Sequence, residues 1–158
     1  VTTFIAFILV ACLWMHVGAY ANFFTNAGRA IVTNRLKGSG TEPLYGGWGT
    51  GAGAASASST SLSTESRSTS TSGGNVIRAT GTSTQQTTSV TNDTYQNIVT
   101  LTADAGKTIT NAGLFDTDGA VASPGPPTGG NLFVIADSLS NALNTNDSIQ
   151  FTWKWQLT

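Results

Sequence analysis

From Ser148 to Leu157 the chain alternates without a break. Ile149, Phe151, Trp153, Trp155 and Leu157 are apolar, and Ser148, Gln150, Thr152, Lys154 and Gln156 between them are polar. Successive side chains of a β-strand point to opposite faces, so this period of two fixes a strand with one buried face and one wet face. A helix cannot use the pattern, because its apolar positions recur at three and four. Other elements must therefore cover the face that carries Trp153 and Trp155.

Strand signals recur upstream. Thr84 to Val90 reads as a polar strand ending near the turn Asn92-Asp93. Thr94 to Thr102 follows, with Tyr95, Val99 and Leu101 on one face and Ile98 on the other. Ala105-Gly106-Lys107 turns the chain into Lys107 to Phe115. Asn131 to Asp137 is short and apolar, as a buried strand is, and Asn144 to Asp147 is a further turn. Short strands spaced by turns predict a mainly β chain, an antiparallel β-sandwich or jelly-roll-like domain. One N-terminal α-helix is expected from Ala21 to Leu36, where Phe24, Ala27 and Ile31 share a face, with Phe23 and Ala30 alongside. Arg35 and Lys37 sit where the helix dipole favours cations, and Gly38 is placed to stop the helix.

Three segments follow: an apolar N-terminal stretch over 1–20, the helix over 21–38 and a β-rich domain over 39–158. Between helix and strands, Gly38 to Gly53 reads as a glycine-rich contact loop anchored by Leu44, Tyr45 and Trp48. Ala54 to Gly74 is a Ser/Thr tract that reads as a flexible linker or as edge strands.

Composition narrows the function. Charged residues are 9% of the chain, against about 25% in a typical soluble domain. Its polar surface must be Ser, Thr, Asn, Gln and Gly, which suits a part of an assembly better than a free monomer. Net charge is −1 and the seven Lys and Arg are scattered, so no basic patch is available to follow a phosphate backbone. The single cysteine, Cys12, excludes an intrachain disulfide framework and a cysteine zinc site.

The run from Phe4 to Tyr20 is almost wholly apolar and has the length of a short membrane span. It contains Leu9-Val10-Ala11-Cys12, a lipobox-like string, but Val1-Thr2-Thr3 supplies no basic flank and apolar residues follow the cysteine. Three readings stand: translation upstream of a natural start at Met15, a buried N-terminal arm or helix, and a membrane segment. His16 lies alone in this run and reads as a packing residue.

No catalytic arrangement is expected. A Ser or Thr nucleophile needs a base, and His16 is the sole histidine. Asp116-Thr117-Asp118-Gly119 matches only the start of a calcium loop and reads as a turn. Gly49-Thr50-Gly51-Ala52-Gly53 has the look of a phosphate loop, yet no Lys-Ser/Thr pair follows and no strand clearly precedes it. These glycines instead allow a tight path around Trp48. Most carboxylates fall at turns, where Asp caps its own backbone. Trp48, Trp153 and Trp155 with Tyr45 are candidates for a sugar-stacking platform, against which a core or interface role is favoured. No metal or cofactor is expected.

The order of features resembles small bacteriophage virion proteins, described as capsid decoration (cement) proteins or as tail fibre-like. It runs from Ala19-Tyr20-Ala21 and a helix to Tyr45-Gly46-Gly47-Trp48-Gly49-Thr50-Gly51 and Ser61-Leu62-Ser63-Thr64-Glu65-Ser66-Arg67. It continues through Ile109-Thr110-Asn111-Ala112-Gly113-Leu114-Phe115-Asp116 to Gly129-Gly130-Asn131-Leu132-Phe133 and Asn146-Asp147-Ser148-Ile149-Gln150-Phe151. The apolar N-terminus and the Asp118–Thr128 loop, with Pro124, Pro126 and Pro127, depart from the pattern. The resemblance implies a virion component without catalytic residues and a natural start at Met15. Its partners would be the major capsid protein or other virion proteins, and it would form a homo-oligomer, a dimer or trimer. A receptor- or glycan-binding tail module and a membrane-anchored surface protein are the alternatives. Leu44, Tyr45, Trp48, Trp153 and Trp155 are the interface candidates.

Overall fold

The computed structural model describes residues 22–68, 78–120 and 127–157. The apolar run from Phe4 to Tyr20, with Cys12, Met15 and His16, lies outside them, as do Pro124 and Pro126. The described chain is mainly β, antiparallel throughout, with one helix.

The helix is shorter than its apolar spacing predicts. Asn22–Phe24 form a strand, β1, and α1 runs over Asn26–Leu36. Thr25 divides them: its hydroxyl accepts from the Gly28 amide at 2.9 Å as N-cap, and it donates to the Leu132 carbonyl. Fixed in this way, residues 22–24 are left extended and pair with a later strand. Ile31 is the buried apolar side chain of α1, whereas Ala30, expected beside the apolar face, is exposed.

The segment read as a contact loop contains β2, Tyr45–Gly49. Three glycines in five residues read as a turn, because glycine weakens a strand. Here the missing side chain is what admits the strand. A Cβ on Gly46 would stand 2.5 Å from Val99 Cγ1, so no other residue lets the backbone come this close. After it come β3 (Glu65–Ser66), β4 (Ala79–Thr80), β5 (Thr82–Gln86) and β6 (Thr94–Thr102). Then follow β7 (Lys107–Ile109), β8 (Asn111–Phe115), β9 (Leu132–Ala136), β10 (Asn141–Leu143) and β11 (Ser148–Gln156).

One sheet has the order β1-β9-β8-β2-β3, with β4 beside β3 along the same flank of β2. A second has the order β11-β6-β5, and β7 pairs with β10 apart. Strands cross between sheets. Only Gly81 separates β4, which pairs with β2, from β5, which pairs with β6. Its amide donates to the Leu44 carbonyl at 2.7 Å, and a Cβ there would run into the Asn97 amide. The expected strand Lys107–Phe115 is likewise cut at Thr110, whose hydroxyl donates to the Gly51 carbonyl at 2.7 Å. The expected strand Thr84–Val90 starts earlier and stops at Gln86, because Asp93 gathers the amides beyond it.

Both large sheets feed one core. Trp48, Ala112, Leu114 and Phe133 meet Val99, Leu101, Ile149, Phe151 and Trp153 there. A smaller cluster, Leu62, Phe115, Leu132 and Ile135, forms on the other side of the first sheet, so β8 is buried along its whole length. Leu62 belongs to the Ser/Thr tract. The described part of that tract therefore packs on the fold and is not a free linker.

Candidate functional site

The β11-β6-β5 sheet has one face in the core and one face turned outward. Its inner face carries Val99, Leu101, Ile149, Phe151 and Trp153, all buried. Its outer face follows from the register: Thr100 lies opposite Gln150, Thr102 opposite Ser148, and Thr84 and Lys154 flank Gln96. Side chains tie this face together, with Thr102 and Ser148 hydroxyls 2.7 Å apart and the Gln86 amide donating to the Thr84 hydroxyl at 2.9 Å. Among the described residues of this face, Lys154 is the one charge.

An aromatic group closes one end of the sheet. Trp155 stacks on Phe24 with centroids 5.3 Å apart and planes at 16°. Phe133 meets Phe24 edge-on at 5.1 Å and Trp155 at 6.1 Å. Such pairs each contribute roughly 0.5–1.5 kcal/mol beyond area burial. Tyr95, opposite Trp155 in the register, completes the group and donates its hydroxyl to the Pro43 carbonyl at 2.8 Å. Burial, and then the Glu42 carboxylate, push the Tyr95 phenol well above its ordinary range. Phe24, Tyr95, Phe133, Val134, Trp153 and Trp155 line a shallow apolar cleft here.

The residues singled out from the sequence are divided by this arrangement. Trp153 and Trp155 come together, Trp155 half-buried at the cleft and Trp153 in the core. Trp48 is 0% exposed, and its indole N–H donates to the Arg67 carbonyl at 3.0 Å. It is a core residue and presents no surface to a partner or a sugar. Tyr45 packs, half-buried, against the smaller cluster, and Leu44 is half-buried beside Gly81. The platform of Tyr45, Trp48, Trp153 and Trp155 is therefore not formed. Phe24 and Phe133 were not singled out as site residues, because nothing local ties them to Trp155, far along the chain.

The carboxylates act in the architecture. Asp93 accepts from the amides of Thr88, Ser89 and Val90 at 2.8–3.0 Å. The Val90 amide does most to hold its carboxyl well below the usual range; burial opposes it, and Thr88, Ser89 and Gln156 assist. Asp147 accepts from the Asn144 amide, and Asp137 from those of Ala55 and Ser138. Asp116, in the calcium-loop look-alike, accepts from Asn131 at 2.7 and 2.8 Å and turns the chain as expected. Glu65 forms a buried pair with Arg78 at 2.8 Å. Among the described residues no three His, Cys, Asp or Glu come together as metal ligands.

The phosphate-loop look-alike does follow a strand, β2, contrary to expectation. Two of its amides are engaged, Thr50 with the Thr64 carbonyl and Gly51 with that of Ser63, both at 3.1 Å. Among the described residues no helix is long and apolar enough to cross a membrane. Comparison of the chain with protein-family models, with curated proteins and with solved structures found no match.

Proposed function

We propose that this protein is a structural component of a bacteriophage virion, a capsid decoration (cement) protein. In this reading its two large sheets form an antiparallel, jelly-roll-like sandwich that packs across neighbouring subunits of the shell. The observation that carries the proposal is the outer face of the β11-β6-β5 sheet, where Thr, Ser and Gln surround a half-buried Ile98 and Lys154 is the one charge. Docking such a face avoids the large cost of burying ionised groups, provided that its hydroxyls and amides find hydrogen-bond partners. It offers many modest hydrogen bonds in place of one deep anchor. Binding only to the assembled shell stabilises that shell by mass action. Carboxylates held by turns and by Arg78 fit a scaffold role.

The partners are the major capsid protein or other virion proteins, and the working form is a homo-oligomer. The test is to purify particles and count copies. Near-stoichiometric copies on capsids are expected, and Thr100→Glu, which adds a second charge to the outer face opposite Gln150, lowers occupancy. Complete absence from purified particles would sink the proposal.

A second reading, a receptor- or glycan-binding tail module, draws on the half-buried ring of Trp155 at the aromatic cleft. A glycan array separates the two: binding to cell-surface sugars favours the tail module.

A further inference from the structure

We propose that the free edge of β11 is a self-association surface, on which a second copy of this chain adds its own β11, antiparallel, about a two-fold axis. Among the described residues no strand lies on the outer side of β11, which ends the β11-β6-β5 order. The strand is long and regular. It pairs with β6 without a bulge from Ser148 opposite Thr102 to Gln156 opposite Thr94, and it contains no proline. Proteins usually blunt such an edge with bulges, prolines, charges or short strands. Here one lysine, Lys154, is the whole defence.

Two bonds reveal which backbone groups are open. The Leu157 amide donates to the Asp93 carbonyl, and the Ala103 amide to the Asp147 carbonyl, both at 2.8 Å. Residues of an antiparallel pair alternate between hydrogen-bonded and non-hydrogen-bonded positions. The odd-numbered residues of β11 are therefore bonded to β6. Ser148, Gln150, Thr152, Lys154 and Gln156 turn their N–H and C=O groups to the open side.

The edge is complementary to itself. With the axis at Thr152, Ser148 falls opposite Gln156 and Gln150 opposite Lys154 of the second copy. Even-numbered residues then face even-numbered residues, so donors meet acceptors along the strand. The strand's one charge meets a neutral amide. Moving the axis to Lys154 would set two ammonium groups opposite one another, which disfavours that register. On the inner side, Ile149 comes opposite Trp155 and Phe151 opposite Trp153, so the apolar face continues across the axis. A net charge of −1 per chain adds little repulsion between copies. The product is one sheet, β5-β6-β11-β11-β6-β5, with the long edge closed by symmetry.

The inference does not depend on the virion reading, because it is tested on purified protein away from any particle. Sedimentation of the full chain over a concentration series is expected to show a monomer–dimer equilibrium. Thr152→Pro removes an N–H that β6 does not use, and it should weaken dimerisation roughly tenfold or more, since two edge hydrogen bonds go per dimer. Thr152→Lys sets two like charges at the axis and should weaken it as well, which keeps the test valid if the proline variant fails to fold. Hydrogen exchange should show the amides of Gln150, Thr152 and Lys154 protected in the wild-type dimer, and those of Gln150 and Lys154 open in both variants. A wild-type monomer with those amides protected means that another segment of the same chain covers the edge, and overturns the proposal. So does a wild-type monomer with them open, or a dimer that neither variant weakens.

Discussion

At the scale of single residues, the turns are built by side chains more than by backbone. Asp93 shows how. Three amides converge on its carboxylate, the Thr94 hydroxyl adds a fourth donor at 2.9 Å, and the Gln156 side chain adds a fifth at 2.8 Å from the end of β11. Its carboxyl is held well below the ordinary carboxylate range, chiefly by the Val90 amide against the opposing effect of burial. A depressed folded-state pKa gives stability that is present above the unfolded value, about 3.9, and is lost as pH falls from there toward the folded value. Asp93→Asn is therefore expected to melt below the wild type at neutral pH, with the gap closing below about pH 4. Thermal melts across that range check it, and a gap independent of pH would show that the charge contributes nothing. That Asp sits at turns was legible from Asn92-Asp93 itself. The Gln156 contact was not, because it joins segments 63 positions apart.

Elements were legible where side-chain period alone decides them. β6 spans the predicted Thr94–Thr102, and β11 falls one residue short of the predicted Leu157, which is exposed. β2 was not legible. Its residues, Tyr-Gly-Gly-Trp-Gly, have a turn's composition, and they form a strand because β6 and β8 press on them. Trp48 was recognised as an anchor, but its depth depends on partners from distant segments. This packing gives a direct test. Gly46→Ala is expected to cost about 1–3 kcal/mol, the usual range for overpacking, because the new methyl group meets Val99. Val99→Ala alone opens a cavity and also destabilises. The double variant should lose clearly less than the sum of the two, as neighbours in contact do. Urea unfolding of the four proteins measures the coupling, and strict additivity would place the strain elsewhere.

At the scale of the molecule, the mainly β, antiparallel character with one helix was legible, and the pairing of its strands was not. Short strands advertise their faces but not their neighbours. One buried pair helps to hold the distant parts together. Arg78 binds Glu65 through two nitrogens at 2.8 and 3.1 Å, reaches the Gly129 carbonyl at 2.8 Å, and lies 3.3 Å over the Phe115 ring. It thereby joins β3, the start of β4, β8 and the chain leading into β9. Glu65→Ala leaves the guanidinium buried without its counter-charge and should lower stability by about 3–5 kcal/mol. Replacing both partners together, Glu65→Leu with Arg78→Met, should recover most of that loss in chemical denaturation. A single variant as stable as the wild type would show that the pair is dispensable. The pairing of β1 with β9 has a different kind of consequence, one of timing. Thr25 bonds to Leu132 across 107 positions, so on a growing chain the first described strand waits for a partner made much later. Folding must close that long loop before the contact returns anything, which places the chain among slow, non-local folders. Until then Phe23 and Phe24 stay uncovered, and crowding by other nascent copies is most dangerous in that interval.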